Sequence, residues 1–427
     1  MINDVRSGYK QTEIGVIPED WAVRPLREVL VRGRLGGNYP NSDFESAKPL
    51  MKMGNLGRGT FSLSKIEYVP KEVSIEPEHR LAEGDVLFNT RNTLDLVGKV
   101  AIWRQELPEA YYNSNLMRLE FDSDVITSSA FVNYSLNSKS SIARLRAIAT
   151  GTTSVAAIYT RDLMNFLLSV PPKEEQKAIA AALSDMDALI SGLDQLIAKK
   201  RDIKQAAMQK LLTGQARLPG FSGDWEMKTL FDLAERKKEL FDDGDWIESE
   251  HIRTEGVRLI QTGNVGIGRF VEKETKKYIS DVSFRSLRCK QLEIGDLLLC
   301  RLADPAGRAC ILPGIGEERI ITSVDVTIFR PSNEIADRNF LMNVFSTPEW
   351  FRIVSDRSGG TTHKRISRGA LGRISIRLPS IAEQTAISNI FSDMDAELAA
   401  LETRRDKAFQ LKQGMMQELL TGRIRLN

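Results

Sequence analysis

Residues 170–218 read VPPKEEQKAIAAALSDMDALISGLDQLIAKKRDIKQAAMQKLLTGQARL, and residues 378–426 read LPSIAEQTAISNIFSDMDAELAALETRRDKAFQLKQGMMQELLTGRIRL. The two stretches align without gaps at a constant offset of 208, with 22 of 49 positions identical. A match of this length within one chain marks an internal duplication. Glu175-Gln176 returns as Glu383-Gln384, Ser184-Asp185-Met186-Asp187-Ala188 as Ser392-Asp393-Met394-Asp395-Ala396, and Leu211-Leu212-Thr213-Gly214 as Leu419-Leu420-Thr421-Gly422.

Both copies carry the apolar stripe of a long helix. In the first, predicted over 174–213, Ile179, Leu183, Met186, Ile190, Leu193 and Ile197 alternate spacings of four and three, the a/d seam of a coiled coil. In the second the seam is Ile387, Phe391, Met394, Leu398 and Leu401. Pro171-Pro172 precedes the first helix, and Gly214 and Gly422 follow the two helices as C′ residues. Ser380-x-x-Glu383 is a capping-box signature for the second start. A helix of about 40 residues spans about 60 Å at 1.5 Å per residue, too long to bury its stripe on one small domain. The simplest partner is the other copy, packed as an antiparallel coiled coil with pseudo-twofold symmetry. Met208/Met416 and Leu211/Leu419 lie off the seam and read equally as a docking face or as extra core packing.

Upstream of each helix the copies match more weakly but in the same order. Asp20-Trp21 pairs with Asp224-Trp225, Gly54-Asn55-x-Gly57 with Gly263-Asn264-x-Gly266, Gly84-Asp85 with Gly295-Asp296, Gly98-Lys99 with Gly307-Arg308, and Gly151-Thr152-Thr153 with Gly360-Thr361-Thr362. Short β-branched runs between Gly, Asn and Asp turns read as strands, and 128–147 and 337–355 read as helical. The expected class is α+β: two domains of mixed structure, 1–172 and 215–379, separated by two long helices within 173–214 and 380–427.

Composition bounds the function. Net charge is only +2 over 427 residues, unlike a protein that coats DNA indiscriminately, but compatible with local basic patches. No run approaches the roughly 20 apolar residues of a membrane span, and the first residues lack an apolar signal region, so the expected compartment is the cytoplasm. Cys289, Cys300 and Cys310 form no Cys-x-x-Cys pair, and His79, His251 and His363 lie far from them in sequence. They read as buried thiols, with no metal site expected.

Polar, basic loops after strands are the candidates for touching nucleic acid, since they offer guanidinium, amide and hydroxyl groups, the types that contact base edges and phosphates. In the first domain these are Arg91, Asn92 and Thr93, with Lys99 and the Thr152-Thr153 turn. In the second they are Arg301, Arg308, Thr361, Thr362, Lys364 and Arg365, the last four within a run from Arg352 to Arg377 that holds seven cations against Asp356. No P-loop, Asn/Asp-Pro-Pro-aromatic, Gly-x-Ser-x-Gly or His-Glu-x-x-His motif occurs. No catalytic residue is therefore assigned, and the nuclease-like Glu274-Thr275-Lys276 lacks a convincing metal-binding Asp upstream.

Pro171-Pro172-x-x-Glu175-Gln176-x-x-Ile179 with its echo at Pro379, the Leu-Leu-Thr-Gly helix ends and Pro18-Glu19-Asp20-Trp21 together resemble the specificity subunits of type I restriction–modification enzymes. The resemblance covers essentially the whole chain. It implies that each domain reads one half of a bipartite DNA target and that the helix pair fixes the spacer. It also implies partnership with two methylation and two restriction subunits, which would carry S-adenosylmethionine, ATP and Mg. The competing readings are a self-sufficient methylase or nuclease and a non-DNA coiled-coil scaffold. Gly8-Tyr9-Lys10 reads as a continuation of Thr421-Gly422-Arg423, so the termini are expected to meet.

Overall fold

The computed structural model describes residues 6–302, 305–360 and 364–426. The chain forms two compact units, Met1–Asp194 with Thr403–Asn427, and Gln195–Glu402. Both long helices are continuous, Lys173–Leu211 and Ile381–Leu419, and the division between units falls inside each of them. The first starts directly after Pro171-Pro172 and the second directly after Pro379-Ser380, and each stops before its Thr-Gly turn. Gly214 and Gly422 follow them with φ of +73° and +67°, the left-handed turn that glycine adopts without strain.

Each unit builds the same antiparallel four-stranded sheet. In the first unit the order is Leu30–Leu35, Leu116–Phe121, Val86–Asn89, Val100–Ile102. In the second it is Phe241–Asp243, Val326–Phe329, Leu297–Cys300, Ala309–Ile311. Each unit has a second sheet, three-stranded in the first and four-stranded in the second, containing one parallel pair: Tyr111–Tyr112 on Pro49–Met51, and Val257–Ile260 on Ile320–Thr322. The stretches predicted helical each break into two helices, Ser129–Leu136 with Lys139–Ala147, and Arg338–Val344 with Pro348–Asp356. The breaks fall where Ser138 and Thr347 cap the following helix. The α+β class holds in both units. Among the described residues no helix is long and apolar enough to cross a membrane.

Within each unit, half of one long helix packs on half of the other. In the first unit Asp187 pairs with Lys412 at 2.5 Å and Asp194 with Arg405 at 3.4 Å. In the second, Lys200 pairs with Glu397 at 2.7 Å and Lys204 with Asp395 at 2.5 Å. Partner numbers fall as residue numbers rise, so the paired halves run antiparallel. Of the predicted seam, Ile179, Leu183, Leu193, Ile387 and Phe391 are buried, while Met186, Ile190, Met394, Leu398 and Leu401 are half-buried. The off-seam residues pack into cores. Met416 and Leu419 belong to the first unit's cluster, and Met208 and Leu211 lie against the second's.

The repeated motifs close each unit with a matching Glu-Gln-Arg lock; the tryptophan bond is made only in the first unit, since Trp225 Nε1 is buried with no partner among the described residues. In the first unit Glu175, 5% exposed, accepts from Trp21 Nε1 at 2.9 Å and from Arg425 at 2.7 and 2.8 Å; Arg425 also holds Asp20. In the second, Glu383, fully buried, accepts two bonds of 2.6 Å from Arg217. Gln176 and Gln384 each bond three backbone groups: Gln176 meets Thr127, Val125 and Pro171, and Gln384 meets Asp337, Ile335 and Pro379. The predicted capping box is therefore only half made. Ser380 Oγ accepts from the Glu383 amide at 3.4 Å, but the Glu383 carboxylate is taken by Arg217, a charge-assisted pair stronger than a bond to a neutral amide. The termini meet as expected, with Tyr9 donating to the Gly422 carbonyl at 2.8 Å.

Candidate nucleic-acid interface

In the first unit, two loops some sixty residues apart in sequence join through a small sheet. Arg91–Asn92 pairs with Ala156–Ala157, which pairs with Thr150–Gly151. The Leu94 amide donates to the Thr153 carbonyl at 3.1 Å. Gly151 turns at φ +135°, and a Cβ there would meet the Val155 carbonyl oxygen at 2.3 Å, so only glycine fits. Arg91, Thr152 and Thr153 are exposed; Asn92, Thr93 and Lys99 are half-buried. Part of this polar surface stabilises the loops themselves. Asn92 Oδ1 accepts from the Thr93 amide at 2.9 Å, and Thr152 Oγ1 accepts from the Val155 amide at 3.2 Å.

Beside these loops stand two cations that the sequence did not single out, Arg58 and Arg146. Their guanidiniums converge on the Asp95 carbonyl oxygen, at 3.3 and 3.0 Å. Arg58 Nη1 is buried without a hydrogen-bond partner. Burial, then the nearby Arg146 charge, pulls the Arg58 pKa down; burial, then Arg58, pulls Lys99 down. Among the described residues no carboxylate pairs with Arg58 or Lys99, and the exposed Asp95 carboxylate, 3.8 Å from Arg146, offsets the cluster only in part, so net positive potential is left for a ligand to neutralise. The Gly54–Gly57 repeat led up to Arg58, but its counterpart in the second copy is Ile267, so comparing the copies hid it.

The second unit keeps the backbone and changes the side chains. The Asn89 amide bonds the Lys99 carbonyl as the Cys300 amide bonds that of Arg308, and the Thr90 carbonyl accepts from Ile158 as that of Arg301 accepts from Ile366. Arg301 therefore stands where the first unit has Thr90, not Arg91. It is 4% exposed, ion-pairs with Asp243 at 3.0 Å and donates to the Ile366 and Val324 carbonyls. The expectation that Arg301 reaches DNA is corrected: its charge is committed inside the fold. Arg308 is half-buried. Its guanidinium donates to the carbonyls of Val265, Thr262 and Pro305 at 2.7, 3.0 and 3.1 Å, which clamps a turn.

Of the remaining second-unit residues, Lys364 is exposed and among the described residues reaches the Ser355 hydroxyl, at 2.9 Å. Arg365 is exposed but ion-paired with Asp325 at 2.7 Å. Thr361 and Thr362 lie outside the described residues. The long cationic run is thinned by other pairs, Arg352 with Glu349 and Arg368 with Asp242. The three cysteines are buried, and burial pushes the Cys289 and Cys310 thiols up to about 11 and about 12.

Comparison with known proteins agrees with this duplicated arrangement. The family model described as type I restriction modification DNA specificity domain matches twice, at residues 18–199 and 222–408. The putative type I restriction enzyme MjaX specificity subunit of Methanocaldococcus jannaschii is 26% identical, over 98% of this chain and 97% of that one. The EcoKI specificity subunit of Escherichia coli is 29% identical over 45% of this chain and 40% of its own. Among solved structures, a chain from a study of complex assembly and conformational transition of the type I R-M system superposes with a TM-score of 0.59 at 17% identity, covering 96% and 99% of the two chains. The S subunit of a type I restriction–modification system from M. genitalium does so at 0.55 and 16% identity, covering 93% and 96%. With two copies of one lock, two matching sheets and two matches to one family spanning most of its length, the chain belongs to the type I restriction modification DNA specificity domain family.

Proposed function

We propose that each unit is a target-recognition domain reading one half of a split, asymmetric DNA site, and that the chain is the specificity subunit of a type I restriction–modification complex. The observation that carries this is the contrast between invariant lock and variable face. Glu175 and Glu383 each hold an arginine, and Gln176 and Gln384 make matching backbone bonds, while Lys99 and Arg308, on matching backbone, do different things. Two readers on one scaffold need this separation of roles.

In this reading the first unit approaches DNA with Arg91, Asn92, Thr93, Lys99, Thr152 and Thr153, joined by Arg58 and Arg146. The second uses Lys364 and Arg365, with Thr361 and Thr362. The long helices act as an antiparallel coiled coil with pseudo-twofold symmetry. At about 60 Å, such a rod accommodates half-sites about 34 Å apart. Its outer faces dock two methylation subunits, and two restriction subunits complete the assembly. S-adenosylmethionine, ATP and Mg belong to those partners, the chain itself performs no chemistry, and the complex works in the cytoplasm. Methylome sequencing of a host with and without the chain tests this: a split adenine motif should disappear with it. An unchanged methylome in a host that carries active partner subunits would contradict the reading.

A further inference from the structure

We propose that a cavity of about 330 Å³ in the first unit binds a small organic oxyanion, a phosphate or carboxylate on a compact apolar body. This site is separate from the DNA-reading loops and does not depend on them. Three cations line it, Lys139, Arg144 and Arg423, with Ser135 and Ser141, and no carboxylate does. Arg423 is the least available, 3.4 Å from Glu418.

Arg144 is the centre of the argument. It stacks 4.4 Å from the Phe166 ring centroid, donates to the Leu167 carbonyl at 2.8 Å and reaches Ser141 Oγ at 3.3 Å. Its Nε is buried without a partner, and among the described residues no carboxylate pairs with it. A cation withdrawn from water without a counter-charge is costly, and an anion beside it offsets that cost. Ser135, 5% exposed, lines the same cavity and its hydroxyl also lacks a partner. The nine-residue helix Lys139–Ala147 begins at the cavity wall with no acidic residue in its first turn. Its N-terminal amides add a partial positive charge. A guanidinium, an ammonium, a free hydroxyl and a helix N-terminus around one space are the donors an oxyanion takes. Ile17, Leu168 and Leu420 supply an apolar wall for the rest of the molecule. The volume equals that of about eleven waters at about 30 Å³ each, right for a small molecule and too small for a duplex.

The second unit makes the feature specific. Its matching helix, Pro348–Asp356, is capped by Thr347 as the first is by Ser138. Aligned on those caps, Lys139 becomes Pro348, which has no N–H; Ser140 becomes Glu349, a carboxylate; Arg144 becomes Ile353; and Ser135 becomes Val344. The scaffold does not require the cationic lining, since the other copy lacks the counterparts of Lys139, Arg144 and Ser135 while keeping the capped helix.

The test is thermal unfolding of the full chain at constant ionic strength, titrated with inorganic phosphate or with butyrate against chloride. The wild type should show a saturable rise in Tm with at least one of the two, and the anion with the lower half-saturation identifies the ligand class. Arg144→Met, and Lys139→Glu at the exposed rim, should each raise that half-saturation at least about tenfold. Lys139→Glu covers the case in which Arg144→Met does not fold. A selenate soak should place an anomalous peak beside Arg144. A non-saturable response, a response equal in wild type and Lys139→Glu, or a peak only elsewhere would overturn the proposal.

Discussion

Lys99 and Arg308 hang from matching backbone, yet the first is a cation with no carboxylate partner among the described residues, beside Arg58, and the second spends its guanidinium on the Thr262 and Val265 carbonyls of a distant turn and on the nearby Pro305 carbonyl. The same substitution of roles runs through the two faces. Thr90 becomes the buried Arg301, Arg58 becomes Ile267, Arg146 becomes Ser355, and Arg34 and Leu35 become Asp242 and Asp243. In the first unit Arg58 and Lys99 have no carboxylate partner among the described residues and Arg146 meets only the exposed Asp95, at 3.8 Å, whereas the second unit ties Arg301, Arg365 and Arg368 to aspartates. What survives duplication is the backbone hydrogen bonding and the Glu-Gln-Arg lock. What diverges is which side chains are left over for a partner. Two surfaces of such different charge are expected to recognise different sequences.

The largest test of this contrast acts on the shared part. Phe391 and its counterpart Leu183 are both fully buried in their own cores. Phe391→Ala should cost about 3–5 kcal/mol and Leu183→Ala about 2–5 kcal/mol. In calorimetry each should lower the transition of its own unit first; equal shifts of one single transition would break the description of two separately cored units. Next in size, Arg301→Met should destabilise by about 3 kcal/mol by stranding Asp243 and two carbonyls, and Arg308→Ala by about 1–3 kcal/mol, both read as denaturant midpoints. Lys99→Ala should leave the midpoint within about 0.5 kcal/mol. It should instead weaken DNA binding.

Smaller and sharper, Arg58→Ala and Arg146→Ala should each reduce the slope of log affinity against log salt by about 1, equally for cognate and unrelated duplexes. A loss confined to one DNA sequence would assign those residues to base reading instead. The smallest effect separates the units by acid. Asp232 closes a capping box with Thr229 in the second unit, and hydrogen bonds from the Thr229 hydroxyl and amide, then from Arg236, hold its carboxyl at about 2. The matching turn of the first unit, Leu26–Glu28, has no side-chain cap. Because the folded pKa is depressed, the cap's contribution is complete above about 3.8 and fades as pH falls through about 2. A 13C titration of aspartate carboxyls should show one midpoint near 2 that is missing in Asp232→Asn.

The long helices were the most legible feature. Duplication, heptad spacing and flanking glycine set their ends to within two residues, 174–213 expected against Lys173–Leu211. The lock was visible only as repetition. Glu175 and Glu383 read as helix-start residues, because the arginines that hold them come from the far end of the other copy, a partnership no local pattern encodes. The interface was half legible. Gly151-Thr152-Thr153 and the loop after Asn89 do meet, since glycine at positive φ and strand-ending polar residues have local signatures. Arg301 misled because a one-residue shift between copies placed it opposite Thr90, on the inward side of the strand end. Arg58 and Arg146 escaped because their importance lies in converging on one carbonyl, from segments almost ninety residues apart.

Exchanging residues 15–170 for the equivalent segment of another family member, and sequencing the methylome that results, puts the central idea to its hardest trial. A duplicated scaffold carrying two independent readers predicts a new sequence in one half of the split motif, with the other half and the number of unread base pairs unchanged. A motif altered in both halves, or a changed spacing, would contradict it.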